Sequence, residues 1–193
     1  MAWDEGAGLT GRLLVATPVL AEATFRRTVI MVLDHDEAGA LGVVLNRPSP
    51  VPVDRVLPEW ARMVAPPPVM FEGGPVAVDS AVALATITRP VPGSGPGGRG
   101  GTEPLGWRQV SGALGLLDLD TPPAEMSGRL AALRIFVGYA GWGPGQLENE
   151  IAEDAWYVVA AEPWDAFTEA PGALWRAVLR RQPDQSLALV STF

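Results

Sequence analysis

The sequence predicts one domain in which central strands carry the core and short helices cover them. Two apolar runs, residues 28–33 (TVIMVL) and 40–45 (ALGVVL), flank the polar stretch 34–39 (DHDEAG), which marks a β-hairpin with a polar turn. Neither run alternates apolar with polar residues. Both faces of that hairpin therefore need cover, and its strands belong inside a sheet rather than at a wet edge. The apolar run at 133–137 then turns abruptly into GYAGWGPGQLENE (138–150), which reads as strand, tight turn and helix start.

A chain of 193 residues, 48% of them apolar, is long enough to bury most of its surface as a single domain. Residues 1–10 are polar and glycine-rich and read as a frayed leader. Residues 13–16 (LLVA) form a short strand that Thr17-Pro18 ends. Asn46-Arg47-Pro48 closes the second hairpin strand. Residues 54–64 fit a helix with Asp54 as N-cap and Val56, Leu57, Trp60 and Val64 on one face, distorted by Pro58. Pro66-Pro67-Pro68 ends it, and 69–75 is a short strand entering a turn.

Residues 76–88, rich in alanine and valine, read as a strand, although the alanines leave a helix open. The glycine–proline tract 91–104 is too polar to bury and reads as a mobile surface loop that spaces two core strands. Further strands are expected at 114–119, 133–140 and 156–161. Helices are expected at 122–130, 146–154 (apolar stripe Leu147, Ile151, Ala155) and 171–181 (Leu174, Trp175, Val178 and Leu179 inward). Residues 187–190 are read as a last strand. Neither an internal repeat nor a second domain is evident.

Composition narrows the function classes. The formal net charge is −8, from fourteen arginines, no lysine and twenty-two acids. Such a chain lacks the basic footprint for tight nucleic-acid or membrane-surface binding. No apolar stretch approaches the roughly 20 residues of a membrane-spanning helix. The acidic start is unlike a signal peptide, and a cytoplasmic location is expected. Without cysteine there is no disulfide, thiolate nucleophile or Cys-based zinc site, and no metal or cofactor is expected.

Several stretches together resemble the UPF0301 family, also called the AlgH or YqgE family. They are LLVATPVL (13–20), FRRTVIMVLDHDEAGALGVVLNRP (25–48), EGGPV (72–76) and VGYAGWGPGQLENEIAEDAWYVV (137–159), about half the chain. The resemblance implies an α+β single domain whose bifurcated mixed sheet folds into a pseudo-barrel flanked by helices. It brings no established activity and no catalytic residues. The AlgH label implies a regulatory role in transcription.

The chemistry-bearing residues are few. His35, the one histidine, lies in the hairpin turn and reads as solvated. Asp34, Asp36 and Glu37 lack the spacing of a calcium loop. The glycine turn at 141–145 before a helix resembles a phosphate cradle, yet Glu148 and Glu150 occupy the same end, where they would repel a phosphate. Trp142 reads either as a ligand platform or, preferably, as a tryptophan packed across the end of the barrel. Arg47 is expected to pair with Glu148 and join the hairpin end to the helix start.

Two function classes follow. The first is a non-catalytic cytoplasmic binding or regulatory protein, with a protein or small-molecule partner meeting Asn46, Arg47, Trp142, Gln146, Glu148 and Glu150. The second is a small-molecule hydrolase using carboxylates among Asp34, Asp36, Glu72, Glu148 and Glu150.

Overall fold

The computed structural model describes residues 8–88, 106–183 and 185–191. The leader's residues 1–7 and the 91–104 tract lie outside them. Ten strands form one sheet: β1 (Arg12–Ala16), β2 (Val29–Asp36), β3 (Gly39–Val44), β4 (Pro48–Pro52), β5 (Val69–Glu72), β6 (Val76–Ile87), β7 (Trp107–Ser111), β8 (Leu114–Leu117), β9 (Leu130–Trp142) and β10 (Trp156–Ala160). The helices are α1 (Pro123–Met126), α2 (Gln146–Ala152), α3 (Leu174–Arg180) and α4 (Gln185–Val190).

The sheet forks at β9. Its order is β10-β1-β2-β3-β9-β6-β8-β7, with β5 paired to β9 off that path and β4 to β5. Along one edge, β9 pairs antiparallel with β6. Along the other it runs parallel to β5 at Phe136 and Val137, then antiparallel to β3 at Ala140–Trp142. The fold is thus a single α+β domain on a curled, mostly antiparallel sheet that makes a half-barrel.

Period-two geometry explains the non-alternating runs. Odd-numbered residues of β1 to β3 (Leu13, Val15, Val29, Met31, Leu33, Val43) face one core, closed by Leu174, Trp175, Val178 and Leu179 of α3. The even-numbered Leu14, Ile30, Val32 and Val44 face a second, closed by Trp142, Leu147 and Trp156. A third core lies under residues 53–64, where Val53 and Trp60 meet Met70, Leu133 and Ile135.

Several boundaries differ from expectation. The 54–64 helix is two single turns, Val53–Arg55 and Ala61–Met63, and Asp54 is not an N-cap. Pro58 between them lacks the N–H a continuous helix needs. The 122–130 helix shortens to α1, because Leu130 already begins β9. The expected strand at 187–190 is α4 instead. Leu9, placed in the leader, is buried in the second core.

Candidate functional site

The stretch 138–150 folds as strand, turn and helix, and closes on itself. β9 ends at Trp142, Gly145 caps α2 with a left-handed φ of 71°, and the Gln146 side chain reaches back, its Oε1 accepting the Gly143 N–H at 3.0 Å. Pro144 therefore precedes the cap rather than occupying the first helical turn. Gln146 Nε2 donates to Glu150 Oε1 at 3.0 Å. Glu150 Oε2 accepts from two indoles at once, Trp142 Nε1 at 2.9 Å and Trp156 Nε1 at 2.8 Å. Those rings meet edge to face, 6.2 Å between centroids.

Trp142 is thus a packed corner, as preferred above, and not a platform. A Cβ at Gly145 would meet nothing, so Gly145→Ala is expected to cost only left-handed strain, about 1 kcal/mol, in a denaturant titration.

The expected Arg47–Glu148 pair does not form. Glu148 Oε1 lies 2.8 Å from His35 Nε2, and His35 Nδ1 accepts the Leu9 N–H at 3.1 Å. An accepting Nδ1 puts the hydrogen on Nε2, so the imidazole bridges the chain start to α2 as the Nε2–H tautomer. The reason is register. β2 continues to Asp36, and His35 pairs with Ala40, so the turn proper is only Glu37 and Ala38. His35 is therefore a half-buried strand residue rather than a solvated one. Arg47 lies past Val44, at the end of β3 opposite the hairpin turn near His35.

Glu148's own backbone N–H, and then His35, hold its carboxyl below the usual range, only partly offset by burial. The unfolded chain therefore takes up that proton first. The stability contributed by Glu148 is complete above about pH 5 and drains as pH falls through the lowered folded value. Because the carboxylate is well exposed, Glu148→Gln should cost under about 1 kcal/mol at neutral pH. It should also flatten the acid limb of a stability–pH curve.

At the other end of the hairpin, Asn46 completes the ladder. Its Oδ1 accepts the Val29 N–H at 2.9 Å and its Nδ2 donates to the Arg27 carbonyl at 2.8 Å. Arg47 Nη2 donates to the carbonyls of Ala23 at 3.2 Å and Arg26 at 3.0 Å, holding the 22–27 turn. Among the described residues, its Nη1 and Nε have no acceptor. Arg47 lines an open cleft of about 370 Å³ whose walls include Phe25, Glu72, Gly74 and Pro75. Glu72, whose carboxylate also has no hydrogen-bond partner among the described residues, lines the same cleft.

The five carboxylates named for hydrolysis are dispersed. Asp34 accepts the His35 N–H, Asp36 accepts the Ala38 N–H in the turn, and Glu72 borders the Arg47 cleft. Glu148 meets His35, and Glu150 holds two indoles. No group of three or more His, Asp or Glu side chains among the described residues is placed to hold a metal ion. The acceptors Gln146 and Glu148 meet the amides at the α2 start, where the phosphate cradle was considered. No helix among the described residues is long and apolar enough to cross a membrane.

The sequence reading missed two charged groups. Arg134, inside the run taken as apolar, is fully buried. Asp165, equally buried, makes a two-pronged pair with Arg181 at 2.6 Å per bond. An arginine between apolar neighbours was the available signal for the first; nothing local marked the second.

Residues 13–186 match the family model described as AlgH-like (DUF179). A UPF0301 protein of Streptomyces coelicolor is 56% identical over 190 residues, spanning 98% of this chain and 94% of the relative. One of Thermobifida fusca is 46% identical over 194 residues, spanning 96% and 92%. Among solved structures, a Corynebacterium diphtheriae protein superposes with a TM-score of 0.86 at 33% identity, covering 100% of this chain and 95% of that one. The AlgH protein of Pseudomonas aeruginosa superposes with a TM-score of 0.65 at 28% identity, covering 98% and 97%.

Proposed function

We infer the function from the premise that this chain belongs to the AlgH-like, or UPF0301, family, a name that specifies no reaction. The reading supported best is a non-catalytic cytoplasmic binding protein that regulates through what it binds. Of the six side chains singled out from sequence, Asn46, Trp142, Gln146, Glu148 and Glu150 are bonded within the fold. Arg47 alone combines donors that lack an acceptor among the described residues with a place in the lining of an open cleft, which Glu72 also lines. That observation carries the proposal: the cleft takes a small molecule or short partner segment with an acceptor for Arg47 and a donor for Glu72.

Convergent polar groups around an apolar wall of Phe25 and Pro75 are what ligand clefts usually offer. A hydrolase would need carboxylates free to act together, and Asp34, Asp36, Glu148 and Glu150 are each engaged by a different partner. The test is titration of the labelled protein with free amino acids and dipeptides, followed by NMR shifts. Saturable shifts at Phe25, Arg47, Glu72 and Gly74, weakened about tenfold by Arg47→Gln, support the reading. Absence of shifts at millimolar ligand overturns this choice of cleft. Turnover of model esters or phosphoesters that Glu72→Gln abolishes replaces it with the hydrolase.

A further inference from the structure

A second open face lies on β6, apart from the Arg47 cleft. β6 pairs with β9 at Val76↔Tyr139 and next at Ala81↔Val137, so four residues, 77–80, stand opposite Gly138 alone. The neighbouring β8 pairs with β6 only from Ala83 onward. Among the described residues, 77–80 consequently have no paired strand residue on the β8 side and only Gly138 on the β9 side. Ala77 kinks the chain with a left-handed φ of 48°, and beyond that bulge Val78–Ser80 is a short stretch of strand to which another strand can add. Here it presents Val78, which is 65% exposed.

Beside this segment runs a groove of about 560 Å³. Leu57, Met70 and Val137 line it, with Val56, itself 51% exposed, at its side. Asp79, Asp118 and Asp120 border it, and no arginine is among its lining residues. Asp118 accepts only the Asp120 N–H, at 2.9 Å, so none of the three carboxylates meets a cation among the described residues.

We propose that this groove binds an extended segment of a partner protein in which apolar residues alternate with lysine or arginine. The segment adds a short strand to residues 78–80, beyond the Ala77 kink. Its apolar side chains rest on Val56, Met70 and Val78, and its cations meet the three aspartates. Backbone pairing supplies affinity in this mode, and alternate side chains supply selectivity. Charge complementarity decides the partner. Phosphate backbones and anionic lipid surfaces are repelled by the same carboxylates, and a two-fold dimer would set this acidic face against itself.

Selection of a displayed random octapeptide library on the purified full chain tests the proposal. Enriched sequences should alternate apolar with Lys or Arg, and the best, made synthetically, should shift NMR signals at 56–57, 78–81 and 118–120. Val78→Glu and the Asp118→Asn/Asp120→Asn double variant should each weaken it at least about tenfold while melting like the parent, since all three side chains are exposed. Arg47→Gln should leave it unchanged, which separates this site from the cleft. No enrichment, acidic winners, or binding indifferent to both groove variants overturns the proposal. So does a parent dimer that Val78→Glu dissociates in sedimentation, which would make the face a self-interface.

Discussion

Arg134→Ala is expected to lower the unfolding free energy by about 3–5 kcal/mol, the range for truncating a buried group that bonds its surroundings. Arg134 pairs with Leu84 in the middle of the β6–β9 ladder and is wholly buried. No carboxylate among the described residues pairs with it. Nη1 donates to the Thr168 carbonyl at 3.0 Å, and Nη2 to the carbonyls of Ala65, at 3.4 Å, and Pro66. The guanidinium also lies over the Phe71 ring, 4.2 Å from its centroid. Burial lowers its pKa to about 10, so it stays charged at neutral pH.

One planar fork thereby staples two irregular segments, 65–66 and 168, to the central strand. Alanine leaves those carbonyls without a donor and opens a cavity against Phe71. Arg134→Met fills much of the volume and removes the cost of burying a charge, so its loss should be clearly smaller. Arg134→Lys has one compact donor group that cannot span both segments, and should fall between them. Urea titrations of the three variants give the ranking. A loss below about 1 kcal/mol for alanine would show that water replaces the guanidinium there.

The contrast between Arg134 and the hairpin shows what a sequence of this kind discloses. Strands β1, β2, β3, β5, β6, β8, β9 and β10 were visible, most plainly β1 to β3, where burial on both faces writes an uninterrupted apolar run, whatever the partner strand. Strands β4 and β7 were not. PSPVP carries three prolines that cannot donate to a ladder, and WRQVS is short and half polar. The strand character of β4 comes from β5, well along the chain, and that of β7 from β8 across a tight turn. The six residues of α4 are too few for a period of 3.6 to declare itself against one of two.

Site residues were harder for a related reason. The glycine turn and the acids after it were recognised, but which cation met Glu148 depended on hairpin register. Extending β2 by three residues moves His35 out of the turn and into reach. The sequence contains both candidates, and only the three-dimensional pairing chooses between them. Arg47 was correctly placed beyond a central strand, yet its open cleft depends on Glu72 and Pro75, which β5 brings alongside.

Glu150→Ala should be the other large loss, about 2–5 kcal/mol. Its carboxylate is the shared acceptor for two indole N–H groups on rings 7% and 4% exposed, Trp142 and Trp156. A buried donor stripped of its acceptor costs about 1–3 kcal/mol, and here two are stripped together. Glu150→Gln keeps one oxygen for both indoles but turns its amide toward the Gln146 Nε2 donor, so it should recover the larger part. Gln146→Ala removes only exposed bonds and should cost no more than about 1 kcal/mol.

The three variants separate the clamp from the turn, and near-ultraviolet circular dichroism reports the paired tryptophans directly. Glu150 also fixes where α2 sits, and with it the distance from Glu148 to His35. Combining Glu150→Ala with Glu148→Gln should therefore cost less than the sum of the two. Additive losses would mean that the His35 bridge holds without the indole clamp, and that α2 is positioned by Leu147 packing alone.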